Sequence, residues 1–273
     1  MRPFATTLKH LLLSASLLSA PYPVTVLGAA FDDGLAAYRR GDLVNARQFW
    51  EDGARADDPR SMFSLGALFA TGKGVEKDTE FAYSWFLRAA EAGLTQAQYN
   101  VGLMLEEGNG VDRNPQQART WYERAARNGL VEAQMALGTL LWGGRGIEAD
   151  TDASLQWFRQ AAERGYLPAA QRLAQIMEEH GEPEQAQALM RRFAELGHAE
   201  AQNNLGAMLE NGVGTPAAPA AAATWYRRAA DQDLGEAQVN LARLYAEGKG
   251  VPKDPAAADY WTARARRAAR RVP

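Results

Sequence analysis

The chain has 273 residues, is 47% hydrophobic and 23% charged, carries a formal charge of −3 and contains no cysteine. This is the composition of a folded soluble chain, and its mild acidity gives no electrostatic drive toward nucleic acid. Without cysteine there is neither a disulfide framework nor an N-terminal lipoprotein anchor, so packing alone must hold the fold.

Residues 1–30 stand apart. Arg2, Lys9 and His10 precede an apolar run from Leu11 to Ala20, and the small residues Gly28 and Ala30 offer a cleavage site before Phe31. That is the layout of a secretory signal peptide, and it predicts a periplasmic protein. An uncleaved anchor from Leu11 to Ala30 is the alternative, but Pro21 and Pro23 interrupt the run. Residues 31–58 read as a degenerate opening repeat. Gly41 and Asp42 make a short turn, and Ala46 and Phe49 stand where later units have Ala82 and Trp85. Atypical end repeats of this kind act as caps.

From residue 59 the chain repeats. Gly66, Gly102 and Gly138 are 36 residues apart, as are Trp85, Trp121 and Trp157, and Gly93, Gly129 and Gly165. One interval shortens to 32, from Gly165 to Gly197, and then 36 returns from Gly206 to Ala242 and from Trp225 to Trp261. A fixed period of this size predicts a solenoid, in which no unit buries its apolar face alone.

Each unit divides into two helices. The first carries an apolar stripe such as Ala97, Val101, Met104 and Leu105. Gly102 inside it costs about 1 kcal/mol against alanine, which predicts close approach by a neighbouring helix. Ala174 and Ala242 keep that column small. The first helix stops at a Gly-x-Gly, which occurs five times (72/74, 108/110, 144/146, 212/214 and 248/250) and is followed in four cases by Val75, Val111, Ile147 or Val251. Asp78, Asn114, Asp150 and Asp254 are placed to cap the second helix, with Pro115 and Pro255 directly after two of them. The second helix is expected to bury Ala118, Trp121, Ala125 and Ala126 and to end at Gly129. The unit at 167–197 departs from this: His180-Gly181-Glu182 replaces the glycine loop, and Leu189 stands where Trp is expected. In the next unit, Thr215 to Ala223 lacks the capping Asp.

The order AQ-x-x-LG, Gly-x-Gly-Val, capping Asp, Ala-x-x-Trp and late Ala-Ala-x-x-Gly resembles the Sel1-like repeat family, relatives of the tetratricopeptide repeats. The resemblance covers about residues 59–271. It implies an all-α fold, an α/α superhelical solenoid that acts in protein–protein interaction, and it implies no cofactor.

Signals for chemistry are weak. His10, His180 and His198 have no partners at metal-ligand or triad spacing, and no nucleophile motif occurs. The Gly-x-Gly elements follow helices rather than strands, so they read as helix ends and not as phosphate loops. Glu106/Glu107 and Glu178/Glu179 are neighbours on a helix and do not face each other. The expectation is therefore a non-enzyme with no metal site.

Variation between repeats carries more information. Three first-helix columns change while their neighbours stay small or apolar. The first holds Phe63, Tyr99, Met135, Gln171, Asn203 and Val239; the second Ala67, Leu103, Thr139, Gln175, Ala207 and Arg243; the third Ala70, Glu106, Trp142, Glu178, Glu210 and Ala246. Helical spacing puts the columns on one stripe, and by the resemblance this stripe lines a concave groove. Phe63, Tyr99, Leu103, Met135 and Trp142 are the expected protein-binding residues. The same residue types could equally be core.

These readings predict a periplasmic adaptor or regulator that holds a protein or peptide partner. Certain cysteine-rich Sel1-like proteins have been assigned β-lactam hydrolysis, and a cell-wall hydrolase of that type is the alternative, although this chain lacks their cysteines and any serine–lysine arrangement. A purely structural envelope assembly factor is a third reading. Five arginines between Arg264 and Arg271 offer either weak contact with an anionic membrane surface or, more simply, the solvated face of a capping helix.

Overall fold

A computed structural model of the chain describes residues 27–270. The expected signal segment lies outside the described residues, except that residues 27–30 open the first helix. Fourteen helices follow one another, and no strand occurs among the described residues. They are α1 (Leu27–Arg39), α2 (Leu43–Arg55), α3 (Pro59–Thr71), α4 (Thr79–Glu91), α5 (Thr95–Glu107), α6 (Pro115–Arg127) and α7 (Val131–Gly143), then α8 (Thr151–Glu163), α9 (Leu167–Glu179), α10 (Pro183–Glu195), α11 (Ala199–Asn211), α12 (Pro219–Asp231), α13 (Gly235–Glu247) and α14 (Pro255–Ala269). None is long and apolar enough to cross a membrane. The chain forms two compact units, one up to Ser154 and one from Leu155. In the first, each of α1–α7 packs on the next; in the second, α9–α14 do the same. The result is a solenoid of helix pairs.

The helix ends follow from the sequence. Gly72, Gly108, Gly144, Gly212 and Gly248 end their helices in the left-handed conformation. Asp78, Asn114, Asp150 and Asp254 accept from the amides of Phe81, Gln117, Ala153 and Ala257 at 2.9–3.0 Å. α10 and α12 start without a side-chain cap and rely on Pro183 and Pro219 in their first turns. The loop before α12 is held instead by Gln187, which donates to the Val213 carbonyl and to Thr215 Oγ1, each at 2.9 Å.

The small first-helix residue faces an aromatic ring on the second helix of its own pair. A Cβ on Gly66, Gly102 or Gly206 would stand 2.6–2.8 Å from the ring of Phe86, Tyr122 or Tyr226. In α1, Gly34 meets Trp50 in the same way. These rings are 0–1% exposed. The expectation that the tryptophan column is core is corrected in three of its members. Trp85, Trp121 and Trp157 are only half-buried, and there the next residues along the helix, Phe86, Tyr122 and Phe158, are 0% exposed and fill the seam; Trp225 and Trp261 are buried. The tryptophans lie flat under an arginine three residues on: Arg88, Arg124 and Arg228 sit 4.5–4.7 Å above Trp85, Trp121 and Trp225. Such a stack suits an amphipathic ring at the edge of the core.

The repeated Gln joins one pair to the next. Gln98, Gln134, Gln202 and Gln238 donate to the carbonyls of Ala90, Ala126, Ala194 and Ala230 at 3.1–3.3 Å. All four are buried. Each therefore fixes the register of a first helix on the last turn of the preceding second helix.

Candidate interaction surface

The five residues expected to line a groove all belong to the first unit, on α3, α5 and α7. The structure separates them. Phe63 is 0% exposed, with its ring 5.2 Å from Phe86; it is core and has no surface for a ligand. Tyr99 is 8% exposed and lies 5.8 Å from Tyr122, so it too is chiefly packing. Leu103, Met135 and Trp142 are half-buried. The first column resembles surface in the sequence because it tolerates both apolar and polar residues. Phe63 and Tyr99 in fact lie against the buried ring of their own pair, and the polar Asn203 is 7% exposed and accepts from Asn240 at 3.0 Å; Met135 and Gln171 are half-buried and Val239 is exposed. A column can vary and still be core when each occupant finds its own partner.

The third column also varies for a reason. Tyr122 donates to Glu106 at 2.8 Å, and Tyr226 donates to Glu210 at 3.0 Å. Where the ring is Phe86, which has no hydroxyl, the third column holds Ala70. The carboxylate is there to accept from a buried phenol. This spacing of sixteen is visible in the sequence but has meaning only once the ring is known to point at the first helix. Trp142 falls outside the rule: the residue sixteen on is Phe158, and Ala70 shows that a phenylalanine-bearing pair needs no large side chain there.

Glu210 is the most strongly held charge of the second unit. It is 6% exposed and accepts from Arg243 at 2.7 Å, Lys249 at 2.8 Å and Tyr226. Burial pushes its pKa up, but hydrogen bonds from Arg243, Lys249 and Tyr226 and the Arg243 charge outweigh it and bring the pKa down to about 2. Burial, then the Glu210 charge, push the Tyr226 phenol up; burial, then Glu106, do the same to Tyr122. Because the folded pKa of Glu210 lies below its ordinary value of 4.5, its contribution is complete above that value and is lost as pH falls toward 2. Urea midpoints are expected to drop between pH 5 and pH 3, and Glu210→Gln to flatten that slope. Equal slopes in wild type and variant would show that other carboxylates carry the acid sensitivity.

The varying columns do border open space in the second unit. Gln171, Gln175, Glu178 and Ala207 line, with Met190 and Asn204, a groove of about 310 Å³. Its lining sets the amide and carboxylate groups of Gln171, Gln175, Glu178, Asn204 and Asn211 among the apolar Ala174, Met190, Met208 and Val213. Among the described residues no group of His, Asp and Glu could hold a metal ion.

A helix pair of this length, with a ring-filled seam, a glutamine register lock and a glycine-ended first helix, defines a solenoid repeat of the tetratricopeptide-like class. The Sel1 repeat family model matches residues 59–94, 95–130, 131–166, 168–198, 199–234 and 235–269, and the chain belongs to that family. Among solved structures it is similar to c5321, described as a protective antigen present in uropathogenic Escherichia coli strains and displaying an SLR fold, at 32% identity and a TM-score of 0.71, over 88% of this chain and 54% of that one. It thus spans about half the length of that antigen. A Sel1 repeat protein from Oxalobacter formigenes matches at 30% identity and a TM-score of 0.68, over 86% of this chain and 96% of that one. No curated protein matches the chain. Membership of the family is compatible with a role in protein–protein interaction.

Proposed function

We propose that this protein is a periplasmic adaptor or regulator that holds a segment of another protein against its varying first-helix columns. The observation that carries this reading is that Gln171, Gln175, Glu178 and Ala207, members of all three columns, line one open groove. The corresponding positions in the first unit place Leu103, Met135 and Trp142 at half-buried sites, where they supply apolar anchors. Within the second unit, the amides of Gln171 and Gln175 offer hydrogen bonds to a segment lying in that groove. The charged and apolar layout of residues 1–20 supports export.

Met135→Ala and Trp142→Ala together are expected to abolish recovery of the proteins that wild type captures from its own envelope extract, with a melting temperature within a few degrees of wild type. Tyr99→Ala is unsuitable for this purpose, since truncating a residue so deeply packed lowers stability by itself. Undiminished recovery of the same proteins by a folded double variant would overturn the assignment of the anchors.

A further inference from the structure

The two ends of the solenoid break its packing rules with charges of opposite sign. One first-helix column holds Leu65, Val101, Leu137, Leu173, Leu205 and Leu241, all 0–3% exposed. Gly34 meets Trp50 as Gly66 meets Phe86, and this aligns Asp33 of α1 with the same column. Asp33 is exposed. On the second helices the last alanine of the seam is Ala90, Ala126, Ala162, Ala194 or Ala230, 0–5% exposed. In α14 that position is Arg266, which is exposed. Neither Asp33 nor Arg266 has an ion-pair partner among the described residues.

Repeat geometry says where these two positions lie in a seam. Each linking Gln donates to the carbonyl of the alanine that Arg266 replaces. The residue of α1 in the Gln column is Ala30, three residues from Asp33. Within a seam, then, Asp33 would stand one helical turn from the point where its helix touches the Arg266 position, well inside the reach of an arginine. The face of α14 that would receive a helix is open. Between α13 and α14 lies a groove of about 1010 Å³ whose lining includes Val239, Ala242, Ala246, Ala265 and Arg266. Val239 is 57% exposed, whereas Asn203, its equivalent one repeat earlier, is covered. The part of α1 that would enter, beyond the expected cleavage site, carries Asp33 and Ala36. The floor it meets is formed by Ala242, Ala246 and Ala265, with Arg243 and Arg266 as its bases and Asp233, Glu236 and Asp259 also in the lining.

We propose that copies of this protein join head to tail, with α1 of one seated in the α13–α14 groove of the next and Asp33 paired with Arg266. The occupant of the groove is thus a second copy of the chain. An aspartate in a column that is Leu or Val in the interior repeats is tolerated in a seam only when a cation meets it, so the pair sets register. A head-to-tail contact uses different surfaces on the two partners, and association continues beyond the dimer unless the ring closes.

Sedimentation of the full chain over a range of concentrations tests this. Wild type is expected to gain mass with concentration. Asp33→Arg and Arg266→Asp alone each juxtapose like charges and should weaken that association by about tenfold or more. An equimolar mixture of the two single variants should recover it. The arginine introduced on α1 of one copy then meets the aspartate introduced on α14 of the next, and the unaltered Asp33 and Arg266 meet at the following contact. Both sites are exposed, so melting curves of the single variants should match wild type. A wild type that stays monomeric throughout, or a loss in the single variants that mixing fails to restore, would overturn the proposal and leave both charges as solvated caps.

Discussion

Gly110→Val is expected to lower the unfolding free energy by about 4 kcal/mol or more, measured by urea titration. Two causes add. Gly110 has φ +72°, where a β-branched residue is strained by about 1–3 kcal/mol. A Cβ there would also collide with the Thr79 carbonyl at the start of α4. That atom is backbone at a capped helix start and cannot rotate away, so the loop must lift off the preceding pair and open the seam. Gly93→Ala separates the two causes. Its φ is +92°, but a Cβ there meets nothing within 4 Å, so strain alone remains, about 1 kcal/mol. Similar losses at both positions would show that the second glycine of the loop serves conformation only and not close approach.

Gly110 also shows how far the sequence can be read. The first glycine of each Gly-x-Gly is legible as a helix end because the left-handed conformation is a local requirement. The second is not, because its reason lies in the preceding repeat. A Cβ on Gly110, Gly214 or Gly250 would strike the start of α4, α10 or α12, and periodicity says nothing about which loop rests on which helix. Capping residues are legible for the same local reason, and four of them make the bonds expected. The buried ring is misplaced by the sequence pattern for a geometric reason. Trp85 and Phe86 are neighbours about 100° apart on one helix and equally apolar, and tryptophan's larger size suggests core. In the fold Phe86 is 0% exposed and faces Gly66, while Trp85 is half-buried beneath Arg88. The candidate site suffers more. Phe63 stands out by the variability of its column, but the column is packed at Phe63, Tyr99 and Asn203 and open at Val239, so variation alone does not report exposure. Leu103, Met135 and Trp142 keep part of their surface.

The Gly102 column carries the second large effect, and it tests whether ring and small residue are chosen together. Gly102→Val is expected to lower stability by about 3 kcal/mol, because its first added carbon would lie 2.6 Å from Tyr122 Cδ1 and the ring sits in a filled seam. The milder Gly102→Ala sets a gain against a loss. Alanine favours the helix by about 1 kcal/mol, while displacing a ring that is 0% exposed costs about 1–3 kcal/mol. The loss should win as long as the ring is present. The chain itself suggests the compensation, since Ala174 faces a pair whose corresponding residue is Met190 and Ala242 one with Thr262. Tyr122→Met on its own removes ring contacts and leaves Glu106 without its phenol donor; Glu106 is half-exposed and regains water, so most of that loss is packing. In the double variant the methionine can bend around the new methyl group. A double-mutant cycle should therefore show a favourable coupling of about 1–3 kcal/mol. Strict additivity would mean that Gly102 and Tyr122 do not share the seam, and the repeat would need another explanation for keeping glycine inside a helix.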